Sequence, residues 1–266
     1  DRLRSRGLGD VYKRQIMKGI SDSSAADNIK LYAYDTYAPV LERAVSVGAS
    51  ACESSSKLAE MCDYVFLAVK PQQLEEVLDE IASSINPDAV VVSICAGISD
   101  EYIASKINKD VKVILVMPNT PLLIGEGATA LSRSDNVTDE EFATVCSIFG
   151  SCGDYAVISK NKMKEIIAVN SSSPAFIYLY AKAFIDYAKS VDIDEEVAKT
   201  LFAKTLIGSA KMITDSGNSI EKLIEMVSSK GGTTIAGLEK LREGGLEQTV
   251  KNCCEACTKR AYELSK

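Results

Sequence analysis

The chain has 266 residues, a formal net charge of −7, 46% hydrophobic residues and 25% charged residues. That length suits one large or two medium domains, the composition is that of an ordinary globular protein, and the acidic balance argues against a general nucleic-acid binder. No apolar run approaches the roughly 20 residues that span a bilayer, so neither nucleic acid nor a membrane is an expected partner.

The sequence contains no histidine. That removes most triad and histidine-base mechanisms. The chemistry must use hydroxyls, backbone amides, lysines, carboxylates or a cofactor. The eight cysteines are scattered through a chain too large to need disulfide staples, which suits free thiols in a reducing cytoplasm. Cys254 and Cys257 form a C-x-x-C pair beside Cys253. A structural zinc site wants four ligands, so small residues packed on a helix are expected there, and no metal.

In chain order, residues 1–15 read DRLRSRGLGDVYKRQ. A central parallel strand buried on both faces cannot carry three arginines in six residues. Gly7 and Gly9 give only part of G-x-G-x-x-G, because Tyr12 stands at the third position. The first strand and glycine loop are therefore expected to be missing. The stretch reads as an adaptor or gene-fragment scar, with the tail of a first crossover helix ending near Ile20.

Apolar, β-branched runs then predict strands over 28–35, 64–70, 89–97 and 111–119, with weaker ones over 128–133 and 154–159. Helical patterns lie between them near 38–47, 72–84, 99–108 and 138–149. Strands that are apolar throughout and alternate with helices predict an α/β, doubly wound parallel sheet covered on both faces. Three of these strands stop at Pro or Gly: at Ala68, Val69, Lys70 and Pro71, at Cys95, Ala96 and Gly97, and at Met117, Pro118 and Asn119. Ligands bind such sheets at the strands' carboxyl ends. Asp35 closes the second strand of the expected unit, where an acid hydrogen-bonds ribose hydroxyls and repels a 2′-phosphate. A solvated loop acid is the alternative.

From about residue 161 helical periodicity takes over. The expected division is a dinucleotide-binding domain over 1–160 and a helical domain over 161–266. In EEVAKTLFAKTLIGSAKMI (195–213), Val197, Leu201, Phe202, Leu206, Ser209 and Met212 fall at helical spacings, and Gly208 to Ala210 would let another helix approach closely. SSSPAF (171–176) interrupts a helical pattern, where Pro174 predicts a kink. VSSKGGTTIAGLEKL (227–241) runs from Ser and Gly straight into a helix. It is either a small-anion site suited to a carboxylate or an ordinary helix cap.

VFLAVKPQQL, VVSICAGIS, VMPNTPLLIGEGATAL and VSSKGGTTIAGLEKL together resemble the pyrroline-5-carboxylate reductase family, from about Ile16 to the C-terminus. The resemblance implies a Rossmann-like N-terminal domain and a helical C-terminal dimerisation domain. It implies reduction of L-1-pyrroline-5-carboxylate to L-proline with NADPH or NADH, by a homodimer or larger homo-oligomer. Hydride transfer to a protonated imine needs no side-chain nucleophile, so the missing histidines are no obstacle.

By the same resemblance the Thr234 hydroxyl bonds the ring nitrogen, and Ser229, Gly231, Gly232, Thr233 and Ser172 hold the substrate. Asp35, Thr36, Ser55 and the three strand ends named above contact the cofactor. The chain departs from the family where Lys230 replaces a proline, Ser171 to Ser173 replace Gly-Ser-Gly, Leu115 replaces an arginine and Ser55 an asparagine. Asp35 tilts the expectation towards NADH. Two alternatives stand beside this reading: a homologue that has lost cofactor binding and activity, and a related hydroxy-acid dehydrogenase with Lys164 or Lys182 as its catalytic lysine.

Overall fold

The computed structural model describes Ile16, Met17, Ile20 and residues 29–265. The expectations for residues 1–15 lie outside the described residues. The chain divides into two compact units. One runs through Pro174 and takes up the chain again from Cys257; the other is Ala175–Ala256.

In the first unit β1 (Tyr32–Ala33) and β2 (Ser50–Ala51) pair in parallel as a small sheet, joined by α1 (Ala38–Val45). After α2 (Ser55–Met61) comes a five-stranded sheet in the order β3 (Tyr64–Leu67), β4 (Val90–Ser93), β5 (Lys112–Met117), β6 (Gly127–Arg133) and β7 (Gly153–Val157). The crossover helices are α3 (Pro71–Ile81), α4 (Asp100–Lys106) and α5 (Asp139–Gly150). The doubly wound α/β class is thus the observed one.

Strand side chains alternate between faces, and here both faces are apolar. Val65, Leu67, Val91, Val113, Leu115 and Met117 pack with Leu74, Leu78 and Ile81 of α3 and Ile103 of α4. Val90, Val92, Ile114 and Val116 pack on the other side with Phe142, Val145 and Phe149 of α5. Ile16 and Ile20, four residues apart and helical, join this second cluster, as expected for the tail of a crossover helix.

One pairing departs from the all-parallel expectation: β6 runs antiparallel to β5. Only residues 118–126 separate them, fewer than the dozen or so that a parallel crossover needs. The segment folds instead as a 3₁₀ turn over Thr120–Ile124, closed by Gly125 in a left-handed conformation. α5 then carries the chain over to β7, which pairs in parallel with β6.

The start of α5 shows how sequence fixes an element here. Thr138 Oγ1 accepts from the Glu141 amide at 3.2 Å, and Glu141 Oε2 accepts from the Thr138 amide at 2.9 Å, a reciprocal capping box. The other Glu141 oxygen takes Lys112 Nζ of β5 at 2.6 Å. Burial raises the Glu141 pKa, but Lys112 and the Thr138 bonds outweigh it and the net shift is downward.

The second unit holds most of α6 (Ser173–Ser190), then α7 (Glu195–Asp215), α8 (Ile220–Met226) and α9 (Thr233–Glu243), and the first part of α10 (Leu246–Leu264). Asp194 caps α7 through the amides of Glu196 and Val197. Phe184 and Phe202 stack at 4.4 Å, with Tyr180 edge-on to Phe184 at 5.0 Å. Among its described residues only Ala188 is buried. Leu179, Leu201 and Val227 are each more than 60% exposed. The helix predicted over 195–213 is present, but Val197, Leu201 and Met212 of its apolar stripe are exposed.

Glu141→Gln tests the α5 start. It is expected to cost about 1 kcal/mol at neutral pH, read as a lower urea midpoint. The folded carboxyl titrates below its ordinary value of 4.5. Its stabilisation is therefore complete above that value and lost as pH falls through the depressed one. Variant and parent should converge at acid pH.

Candidate active site

The ends of β3, β4 and β5 lie level, with Leu67 opposite Ser93 and Ser93 opposite Leu115. That brings the three predicted cofactor segments to one edge of the sheet. After β3, Ala68 is buried, Val69 half-buried and Lys70 exposed. Lys70 is the extended residue before α3, and Pro71 takes a first-turn position where no N–H is needed. No side chain caps α3.

After β4, the Cys95 thiol is buried and faces the carbonyls of Leu67 at 3.4 Å and Val69 at 3.2 Å. It fastens one strand-end loop to its neighbour. Ala96 is exposed and Gly97 buried. A cavity of about 290 Å³ borders Cys95, Gly97, Met117, Asp100, Lys160 and Tyr262. On its wall Lys160 Nζ lies 3.2 Å from Asp100 Oδ2. Burial pushes the Asp100 carboxyl up, and Glu101 adds to this against the pull of Lys160.

After β5, Met117, Pro118 and Asn119 are all buried. Asn119 Oδ1 accepts the Ala128 amide at 2.9 Å. A residue that sequence reasoning missed completes this corner: Asn170 Nδ2 donates to Met117 O at 2.8 Å and Ala128 O at 3.2 Å. The only sequence signal was its place just before the Ser-Ser-Ser-Pro run.

Asp35 and Thr36 follow β1. Asp35 Oδ1 accepts the Tyr37 amide at 2.9 Å, a local turn bond at the start of α1. Thr36 is exposed. Ser54, not Ser55, caps α2, and Ser55 Oγ donates to Glu80 Oε2 at 2.6 Å.

The predicted kink at Pro174 takes another form. Residues Ile167–Ser171 make a π-helical turn, with Ser172 N on Ile167 O at 2.8 Å. Pro174 then stands in the first turn of α6, where a proline breaks nothing. Ser172 is half-buried, and the Cys257 thiol donates to its hydroxyl at 3.3 Å. None of the eight cysteines forms a disulfide. Among the described residues no group of three or more Cys, Asp or Glu could hold a metal.

In the second unit the Ser229–Gly232 turn is closed by Gly232 N on Ser229 O at 2.9 Å. Gly231 has φ +73 while Lys230 has negative φ, which defines a type II turn. Glycine is required at its third position, and proline is favoured at its second, where Lys230 stands. A Cβ on Gly232 would lie 2.5 Å from Ser229 Oγ. α9 starts at Thr233 with no side-chain cap, so its first-turn amides keep their hydrogen-bonding capacity. Ser229, Thr233 and Thr234 are exposed. Turn, amides and hydroxyls together make a donor-rich loop suited to an anion.

A two-faced sheet with level strand ends, in one chain with a helical unit that carries a donor-rich loop, marks a dinucleotide-dependent oxidoreductase. Residues 14–97 match the family described as NADP oxidoreductase coenzyme F420-dependent, and residues 160–264 match pyrroline-5-carboxylate reductase dimerisation. The pyrroline-5-carboxylate reductase of Escherichia coli (strain K12) is 36% identical over 219 residues, which cover 82% of this chain and 81% of that one. Among solved structures, the Plasmodium falciparum pyrroline carboxylate reductase with NADP bound superposes with a TM-score of 0.84 at 27% identity, covering 98% of this chain and 96% of that one. The Coxiella burnetii pyrroline-5-carboxylate reductase gives 0.89 at 27% identity, covering 97% and 96%. The chain belongs to the pyrroline-5-carboxylate reductase family.

The turn before α9 yields a paired expectation. Lys230→Pro should raise stability by about 0.4–1 kcal/mol, because proline restricts the unfolded chain and fits this position. Gly231→Ala should lower it by more than that, because alanine resists positive φ. Thermal unfolding of both variants at matched concentration checks the pair.

Proposed function

We infer that this chain reduces L-1-pyrroline-5-carboxylate to L-proline with NADPH or NADH, as the last step of proline biosynthesis. The observation that carries the substrate side is the exposed type II turn leading into the uncapped start of α9. We assign residues 1–160 to the cofactor and 161–266 to substrate binding and dimerisation. Eight cysteines outside any disulfide suit a reducing cytoplasm.

The residues present fit a dinucleotide at the strand ends. Ala96 is exposed beyond β4, and the start of α3 carries no side-chain cap. Ala68 to Pro71, Cys95 to Gly97 and Met117 to Asn119 would hold it there, with Asp35, Thr36 and Ser55 towards its adenosine end. NADPH or NADH, when bound, supplies the hydride. The remaining work falls to this chain's residues. The α9 amides with the Ser229 and Thr233 hydroxyls anchor the substrate carboxylate, and Gly231 and Gly232 let the backbone come close. Thr234 Oγ1 bonds the ring nitrogen and sets which face of the imine is presented. Ser172 contributes to the wall. Positioning of this kind contributes much of the acceleration when the reaction needs no protein nucleophile.

The hydroxy-acid dehydrogenase alternative finds no support in its two lysines. Lys164 donates to Ser265 Oγ at 3.0 Å and lies over the Tyr262 ring, and Lys182 pairs with Asp186. Both have structural partners.

The second unit's surface supports a homodimer. Tyr178, Leu179, Leu201, Ile213 and Val227 are exposed on a unit with almost no core of its own, and exposed apolar surface on this scale marks an interaction site.

NAD(P)H oxidation with L-1-pyrroline-5-carboxylate is the direct test. Turnover is expected, and a folded oligomer that binds NADPH without turnover would remove the assignment. Thr234→Ala should lower kcat about 10- to 1000-fold, the range for losing one positioned hydrogen bond. Unchanged kinetics would take Thr234 out of the mechanism. Leu201→Asp should shift the oligomer towards monomer in light scattering, and an unchanged mass would place the interface elsewhere.

A further inference from the structure

We propose that Asn170 is a positioning residue for the cofactor: it fixes the Met117–Asn119 strand end against which the nicotinamide ring lies. The proposal rests on the NAD(P)H reading above and extends it to a residue outside the motifs.

Three observations carry it. First, Asn170 sits in the π-helical turn Ile167–Ser171. Such turns are rare and concentrate at functional sites. Second, its amide group serves the strand end alone. Nδ2 donates to the last carbonyl of β5, Met117 O, at 2.8 Å and to Ala128 O on β6 at 3.2 Å. Asn119 Oδ1 takes the Ala128 N–H at 2.9 Å. Two asparagines thus grip the N–H and C=O of one residue, Ala128. The short 118–126 connection is pinned at the point where it leaves β5. Third, Asn170 Oδ1 is buried and has no partner among the described residues. Both Nδ2 partners are carbonyls, which only accept, so the amide cannot be reversed to satisfy that oxygen. A buried, unpaired acceptor is costly. A residue selected for stability alone would avoid it, so the donor half of the amide is what the position requires.

The functional consequence follows from place. Pro118 and Asn119 lie beyond the carboxyl end of β5, on the edge where sheets of this class hold ligands. A ring resting there is positioned only as well as the backbone beneath it, and hydride transfer is sensitive to displacements on the order of 1 Å. Asn170 acts through Met117 and Ala128 and need not touch the cofactor itself.

Asn170→Leu keeps the side chain's shape and removes its donor. Asn170→Asp keeps the shape and turns the donor into an acceptor, and it is read if the leucine variant does not fold. NADPH affinity is measured by fluorescence titration without substrate, and kcat and KM by NADPH oxidation. Either folded variant is expected to weaken NADPH binding about 5- to 20-fold and to lower kcat about 10-fold, with KM for L-1-pyrroline-5-carboxylate unchanged because the α9 loop is untouched. A merely structural role would lower the melting temperature and leave the NADPH Kd at the parent value. That result overturns the proposal, as does a parent chain that takes up no NADPH. A parent that binds NADPH without reducing the pyrroline removes the substrate reading, while the Kd comparison still decides the role of Asn170.

Discussion

Burial of both faces of the central strands of the five-stranded sheet is the constraint on which the first unit depends. Val90 to Val92 and Val113 to Met117 send alternate side chains into two separate clusters. Neither face of these strands can meet water, so each must be followed by an element that covers a face. The coverings return the chain to the same end of the sheet each time, and the ends of β3, β4 and β5 come out level. The ligand edge is a by-product of covering the sheet. Where the chain is too short to cross over, between β5 and β6, it reverses, and the corner so made needs Asn119 and Asn170 to hold it.

The second unit faces the opposite problem. Its helices carry apolar stripes that find almost no partner within the unit. Helices gain most of their stability from packing one face, so this unit requires a further surface, and a second copy supplies one of matching character. The loop before α9 belongs to that unit. Its geometry is local, fixed by the turn and Gly231, but its stability is tied to assembly.

Most of the strands and helices were legible in the sequence because burial on both faces leaves an unmistakable mark: short, fully apolar runs between amphipathic ones. β2 and α2 were missed. Two residues such as Ser50–Ala51 carry no period, and α2 is only seven residues long. The strand over 128–133 was read, but its reversal was missed because apolar runs do not encode direction; only the length of the connection does. The cofactor segments were proposed from their prolines and glycines, and the anion loop from its composition. Asn170 left no comparable trace, since its role comes from a π-helical turn that brings it 53 residues back to Met117. The kink expected at Pro174 was a reading of the right residue in the wrong context, because the helix begins there.

The two units treat their polar groups in contrary ways, and the contrast bears on how labour is divided. At the strand ends the Cys95 thiol, Asn119 Oδ1 and Asn170 Nδ2 all bond to backbone. What they leave for a ligand is a rigid surface of small residues, suited to a large cofactor recognised by shape and by main-chain groups. Before α9 no side chain caps the helix, and three hydroxyls stand exposed. What that loop offers is uncommitted donors, suited to a small anion recognised by charge. A compact substrate with one carboxylate and one ring nitrogen can draw tight binding from only a few donors, so they must be held ready rather than bonded within the protein. Lys230, placed where a proline would stiffen the turn, adds a cation beside those donors and gives up some of that rigidity.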